Sequence, residues 1–255
     1  MDTVSVYKKE YHVDYGDADY YRKLKLSSLF NYFQDVASLH AENLELGVEK
    51  LLAEQGVTWV LVKILVQMEK FPELGEKLTV ETWPLEPKKL EFERDFFVKD
   101  SEGNIIGRAI SGWVIMDVES REIRRTELFP GRFPQFNQIR AIDGRMGKIK
   151  ANGQLQQVYK KTIGYSDIDI NGHLNNSKYI DYITDCFSIE KHGQYAVDTI
   201  QVSYISEALA GDSIVFYKDI SGLDSGAVYV EGVDEAGAKT YFKACITIKI
   251  KNYDV

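Results

Sequence analysis

Apolar residues recur at helical spacing in two places. Leu29, Phe30, Phe33, Val36, Ala37 and His40 predict a helix with one buried face, closing near Leu46-Gly47. Tyr179, Ile180, Ile183 and Phe187 predict a second. After each helix the period drops to two. Val57 to Met68, Lys77 to Trp83, Leu90 to Lys99 and Ile105 to Val118 read as strands, with a turn at Ser101-Glu102-Gly103-Asn104. Thr199 to Ile205, Ser213 to Ile220, Ala227 to Val233 and Tyr241 to Lys251 repeat the plan, with turns at 234–237 and 222–226. The pattern predicts an α+β chain in which each half is a strand, one long helix and about four antiparallel strands.

The halves are copies. Val13 to Asp35 aligns without gaps on Ile163 to Asp185 at a constant offset of 150 residues. Tyr15/Tyr165, Asp17/Asp167, Asp19/Asp169, Leu24/Leu174, Ser27/Ser177, Tyr32/Tyr182 and Asp35/Asp185 are identical pairs. Two unrelated amphipathic helices would not share the Asp-x-Asp ahead of each. Phe129 to Gln157 holds Pro130, Pro134 and four glycines with weak periodicity, and is expected to wrap on the surface as a linker. The expected organisation is one domain over 1–128, a linker over 129–157 and a second domain over 158–255, the two sheets pairing edge to edge as a pseudo-dimer.

Composition narrows the class. With 44% hydrophobic and 27% charged residues the chain can bury a core, and no apolar run reaches the roughly 18 residues of a membrane span. The N-terminus lacks signal-peptide and transit-peptide character, so a cytoplasmic location is expected. A net charge of -8 argues against nucleic acid as a partner. Two cysteines, Cys186 and Cys245, exclude a disulfide scaffold and a multi-cysteine metal site. No P-loop, dinucleotide fingerprint, nucleophile elbow or HExxH is present, and no metal or organic cofactor is expected.

Only the second copy holds a reactive set. Asp169-Ile170-Asn171-Gly172-His173-Leu174-Asn175-Asn176 places a carboxylate, amides and an imidazole just before a helix. In the first copy Tyr21 and Lys23 replace Asn171 and His173, while Asp19 survives. Residues that only shaped a turn would be tolerated equally in both copies.

This block, followed by an aromatic-rich helix, resembles the acyl-acyl carrier protein thioesterases, tandem hot-dog proteins of plants and bacteria. Trp59-Val60-Leu61, Thr82-Trp83, Arg94-Asp95, Ser111-Gly112-Trp113 with Met116, and Arg121 with Arg124-Arg125 extend the resemblance over nearly the whole chain. It implies two hot-dog domains, each a sheet wrapped around a helix. It also implies hydrolysis of acyl-carrier-protein thioesters, with release of free fatty acid. The implied catalytic set is Asp169, Asn171, His173 and Glu207, the last from Tyr204-Ile205-Ser206-Glu207 on the strand after the helix. Glu207 and His173 would activate water, Asn171 would orient water or carbonyl, and Asp169 would hold the loop. The free N–H groups of the helix beginning near Asn175 would face the oxyanion. Plant members carry a cysteine beside that glutamate; here Ala208 stands there, which favours water attack over an acyl-enzyme. The acyl channel implied in the first domain would be lined by Phe30, Phe33, Val57, Trp59 and Leu61.

An acidic carrier needs a local positive field. Lys88-Lys89, Lys160-Lys161 and eight basic residues between Arg121 and Lys150 read equally as a docking surface or a solvated linker. A homodimer is compatible with the pattern. Two alternatives stay open: an acyl-CoA thioesterase of the same fold, and a non-catalytic acyl-binding hot-dog protein.

Overall fold

The computed structural model describes residues 3–129, 131, 133, 136–222 and 226–250. The chain divides into two compact units, Met1–Arg145 and Met146–Val255. The first holds β1 (Tyr7–His12), α1 (Leu26–Asn43), α2 (Val48–Gln55), β2 (Val57–Met68), β3 (Lys77–Pro84), β4 (Phe92–Asp100) and β5 (Ile105–Asp117). Its strands lie in the order β1-β3-β4-β5-β2, every neighbour antiparallel. The predicted strands fall within two residues of these bounds. The turn after β4 forms because Asp100 Oδ1 accepts the amides of Glu102 and Asn104 at 3.0 and 2.9 Å. A β-bulge between Leu61 and Lys63 bends β2.

α1 buries the predicted stripe: Leu29, Phe30, Phe33, Val36 and Ala37 all lie inside. Phe33 packs on Phe96 of β4 at 4.8 Å between ring centroids. Truncating either to alanine should cost about 3–5 kcal/mol, because neighbours close such a cavity only in part. α2, absent from the sequence pattern, ends at Gly56 in the left-handed conformation, φ +65°.

His40 and Asp95 are among the polar groups buried beside this core. His40, on the apolar stripe, is fully buried; its Nε2 donates to Val4 O at 2.9 Å and its Nδ1 accepts from Arg94 at 3.0 Å. Burial, and then the Arg94 charge, hold the imidazole down at about 4. On the other face of β4, Asp95 is also fully buried. It accepts the Ala141 amide at 2.7 Å and pairs with Arg140 Nε at 3.3 Å. Burial pushes its carboxyl up to about 6, against the pull of that amide and of Arg140. Trp83 Nε1 donates to Ile139 O at 3.0 Å. The segment 139–141 is therefore stapled to β3 and β4, and Phe129, Ala141 and Ile149 are buried where a surface linker was expected. Pro130, Arg132 and Pro134 lie outside the described residues.

The second unit holds β6 (Gln156–Thr162), α3 (Asn176–Thr184), α4 (Ile189–Gln194), β7 (Tyr195–Tyr204), β8 (Ser213–Asp219), β9 (Ala227–Asp234) and β10 (Thr240–Ile250). The strand order is β7-β10-β9-β8-β6, again antiparallel throughout. Tyr179 of α3 meets Phe242 of β10 at 5.5 Å and Tyr182 meets Phe216 of β8 at 5.9 Å. The single long helix expected here is two short ones, and Phe187 lies between them. The last turn of α3 tightens to main-chain bonds three residues apart, Cys186 N to Ile183 O at 3.2 Å and Phe187 N to Thr184 O at 3.0 Å, and His192 Nε2 also meets Thr184 O at 3.0 Å. Residues 223–225 of the predicted 222–226 turn, and Lys251, lie outside the described residues. Among the described residues no helix is long and apolar enough to cross a membrane.

Candidate active site

The reactive loop is built on Asp169. Its Oδ1 accepts the amides of Asn171 at 2.8 Å and His173 at 3.3 Å, and its own amide donates to His173 O at 2.8 Å. Gly172, at φ +80°, closes the turn on Asp169 O. Asn175 Oδ1 accepts the Ser177 amide at 2.9 Å and so caps α3.

The first copy folds the same loop without the chemistry. Asp19 Oδ1 accepts the amides of Tyr21 and Lys23, both at 2.9 Å, and the Asp19 amide donates to Lys23 O at 2.7 Å. Arg22 occupies the left-handed position of Gly172, at φ +61°. The bonds Lys25 N to Asp17 O and Asn175 N to Asp167 O also correspond. Tyr182 is pushed upward by burial and then by Asp167, as Tyr32 is by burial and then Asp17. The shared aspartates are therefore scaffold, and the difference between the copies lies in what the scaffold displays.

The structure brings Glu207 to His173. Glu207 Oε2 lies 3.3 Å from His173 Nε2, and the two side chains are 34% and 27% exposed. Glu207 is not on a strand: β7 ends at Tyr204, and the carboxylate stands on the following loop. That loop is fixed by Leu174 N to Ala208 O at 2.8 Å, and by Ile205 N and Ser206 N to Tyr241 O. In the first copy Leu24 N donates to Pro72 O in the same way, which places Phe71 where Glu207 stands. Asn171 is exposed, and its side-chain amide turns toward Asp169 Oδ2 at 3.4 Å.

One expectation changes at the helix. The Ser177 amide is spent on Asn175 Oδ1, and the Lys178 amide donates to Asn175 O at 2.9 Å. Among the described residues that leaves the Asn176 N–H of the first turn for a developing oxyanion, rather than a set of free amides. Burial drives the Cys186 thiol up to about 12, its Sγ reaching Tyr182 O, and burial also raises the Cys245 thiol. Neither is a thiolate nucleophile.

The five expected channel residues form two groups. Val57, Trp59 and Leu61 alternate on one face of β2. Val57 and Trp59 join a cluster with Leu46, Leu51, Phe92, Ile115 and Phe129, and Trp59 Nε1 donates to Leu46 O at 2.8 Å. Phe30 and Phe33 pack together on α1 at 6.3 Å. Trp113 sits on the first cluster and donates to Ser111 Oγ, so the tryptophan motifs are core of the first unit. The basic run thins in three dimensions. Arg124 pairs with Asp117, Arg125 with Glu127, and Arg140 with Glu93 and Asp95, while Arg145, Lys148 and Lys150 stay exposed. Sequence reasoning missed Tyr179, Tyr241, Asp212 and Lys239 around Glu207. No local spacing joins residues 179 to 241, and only their shared approach to one loop reveals them.

Each unit is an antiparallel sheet packed against a helix, the tandem hot-dog class expected from the sequence, and the second unit sets a carboxylate–imidazole pair at a helix start. An acyl-ACP thioesterase from Bacteroides thetaiotaomicron superposes with a TM-score of 0.85 at 26% identity, over 96% of this chain and 98% of that one. The 12:0-ACP thioesterase from Umbellularia californica shares the fold, with a TM-score of 0.82 at 20% identity, over 97% and 98%. Residues 4–127 match the acyl-ACP thioesterase N-terminal domain and residues 152–244 its C-terminal domain, and the chain belongs to that family. A chloroplastic palmitoyl-acyl carrier protein thioesterase of Arabidopsis thaliana is 25% identical over 232 residues, 83% of this chain and 54% of the relative. A chloroplastic acyl-[acyl-carrier-protein] hydrolase of Cuphea viscosissima is 24% identical over 244 residues, 89% of this chain. The chain spans about half the length of these curated relatives, 55% of the Cuphea protein.

Proposed function

We propose that this chain hydrolyses the thioester of fatty acyl groups carried on acyl carrier protein, releasing free fatty acid and ending chain growth. The observation that carries the reading is the His173–Glu207 pair, held at 3.3 Å on a loop whose twin in the first unit keeps the scaffold and lacks both groups. Water bound beside the pair loses its proton to it as the oxygen attacks the thioester carbon. The oxyanion forms toward the first turn of α3, where the helix dipole and the Asn176 amide stabilise it. The C–S bond then breaks, and the proton held by the pair passes to the leaving sulfur as thiol. Asp169 fixes the loop, and Asn171 orients water or carbonyl. With both cysteines protonated and Ala208 beside Glu207, no acyl-enzyme is needed.

The acyl chain is accommodated in the apolar interior of the first unit, around Phe30, Phe33, Val57, Trp59 and Leu61. The acidic carrier docks through basic residues left exposed, Arg145, Lys148 and Lys150 among them. Hydrolysis of one acyl chain offered on carrier protein and on CoA tests the reading. Preference for the carrier supports it, and preference for CoA replaces it with an acyl-CoA thioesterase. Glu207→Gln should lose on the order of 10²–10⁴-fold in turnover at unchanged stability, because an amide takes no proton. Near-native hydrolysis by that variant would remove Glu207 from the mechanism.

A further inference from the structure

Glu207 stands on a loop rather than on a regular element, so something must hold its carboxylate against the imidazole. Part of the answer is main chain, described above. The rest comes from the β9–β10 hairpin. Lys239 Nζ donates to Glu207 O at 2.7 Å. The same ammonium lies over the Tyr241 ring, 4.5 Å from its centroid. Tyr241 Oη donates to Asp212 Oδ2 at 3.2 Å, and Asp212 Oδ2 accepts the Leu209 amide at 3.0 Å. Lys239, Tyr241 and Asp212 thus brace the loop on both sides of Glu207.

The duplicated architecture supplies a control. Lys239 N donates to Asp234 Oδ1, as Asn104 N donates to Asp100 Oδ1 on the matching hairpin. Asp234 N donates to Lys239 O, as Asp100 N does to Asn104 O. Asn104 is therefore the counterpart of Lys239, and its side chain turns to Asp100 and Glu102 on its own hairpin. The first copy lacks the imidazole, the carboxylate and this ammonium together. A lysine serving only hairpin stability would not be expected to vanish with the chemistry.

We infer that Lys239 is a positioning residue of the hydrolytic site, which acts by holding the Glu207 peptide and so the carboxylate at His173. It touches neither substrate nor the reacting atoms. The inference rests on the function proposed above, and the experiment separates the two. Lys239→Met keeps the stem over Tyr241 and removes the donor; Lys239→Arg keeps both. Both substitutions are made at a surface position and should leave the thermal midpoint unchanged. Lys239→Met should lower kcat on the order of tenfold with KM unchanged, because small misplacement of a catalytic group is expensive in rate. Lys239→Arg should restore most of it. In a Glu207→Gln background Lys239→Met should cost nothing further, since its effect runs through Glu207.

A second readout does not need turnover. Glu207→Gln should move the His173 ring resonances, followed by NMR at one fixed pH, because the group 3.3 Å from Nε2 changes. Lys239→Met should move them as well, and should add nothing in the Glu207→Gln background. Unchanged kcat and unchanged ring resonances in Lys239→Met overturn the inference, as does a loss carried by KM or one additive with Glu207→Gln. If Glu207→Gln retains turnover, the proposed mechanism fails instead, and the ring resonances in Lys239→Met still decide the role of Lys239.

Discussion

His40 and Asp95 should make opposite contributions to the pH dependence of stability, and single variants should uncover them. His40 is held at about 4, below its ordinary 6.5. Between those values the unfolded chain binds a proton that the folded chain refuses, so stability falls as pH falls. Asp95 is held at about 6, above its ordinary 3.8. There the folded chain binds the proton and the unfolded chain does not, so stability rises as pH falls. Each pH unit inside a window is worth about 1.4 kcal/mol, which makes each effect about 3 kcal/mol over its window. The windows overlap between pH 4 and pH 6, and the wild-type slopes from these two groups cancel there. Asp95→Asn keeps an acceptor for the Ala141 amide and removes the charge. Relative to wild type it should gain about 3 kcal/mol between pH 4 and pH 7. His40→Gln carries a constant loss from its broken bonds and should in addition fall by about 3 kcal/mol on wild type over the same rise. All three tryptophans, Trp59, Trp83 and Trp113, lie in the first unit, so their fluorescence during urea unfolding follows the unit that holds both groups. A stability difference from wild type that stays flat within about 1 kcal/mol from pH 4 to pH 7, for either variant, refutes the reasoning.

Asp169→Ala should abolish most hydrolysis, because two amides and the loop turn depend on its carboxylate, whereas Asp19→Ala should cost mainly stability. Equal activity losses at the two sites would refute the division of labour. Enlarging the side chain at Val57 or Leu61 should change which acyl lengths are released without stopping release, since each buried methylene is worth about 0.8 kcal/mol; product chain-length profiles decide it. Cys186→Ala should hydrolyse thioesters normally, and native Cys186 should resist alkylation at pH 8, because its thiol is held near 12. Rapid labelling of Cys186 in folded protein would contradict that.

What could be read from the sequence was what the chain settles locally. Strand bounds such as Val57 to Met68 follow from alternation and flanking turns, and the Asp169 loop closes within five residues, so its pattern is visible in the letters alone. The gapless repeat led to Asp19 and its loop for the same reason. The break after Thr184 was hidden because no helix-breaking residue marks it: the main chain tightens to bonds three residues apart, and His192 reaches Thr184 O from eight residues on. The staple of residues 139–141 was hidden by distance along the chain: Asp95 meets Ala141 across 46 residues and Trp83 meets Ile139 across 56. Glu207 came from resemblance, not spacing, and its loop setting and its brace from Lys239 are tertiary facts.

The loop around Asp19 and Asp169 separates folding from display. The bonds common to both copies run between one carboxylate and the main chain, the long contact of the Asn171 amide with Asp169 being the second copy's own, so the turn closes whether position 21 or 171 carries a phenol or an amide, and position 23 or 173 an amine or an imidazole. A duplicated module of this kind can shed its reactive groups without a folding penalty. In such a chain a missing histidine is no sign of decay, because the loop that would carry it still folds on the same aspartate.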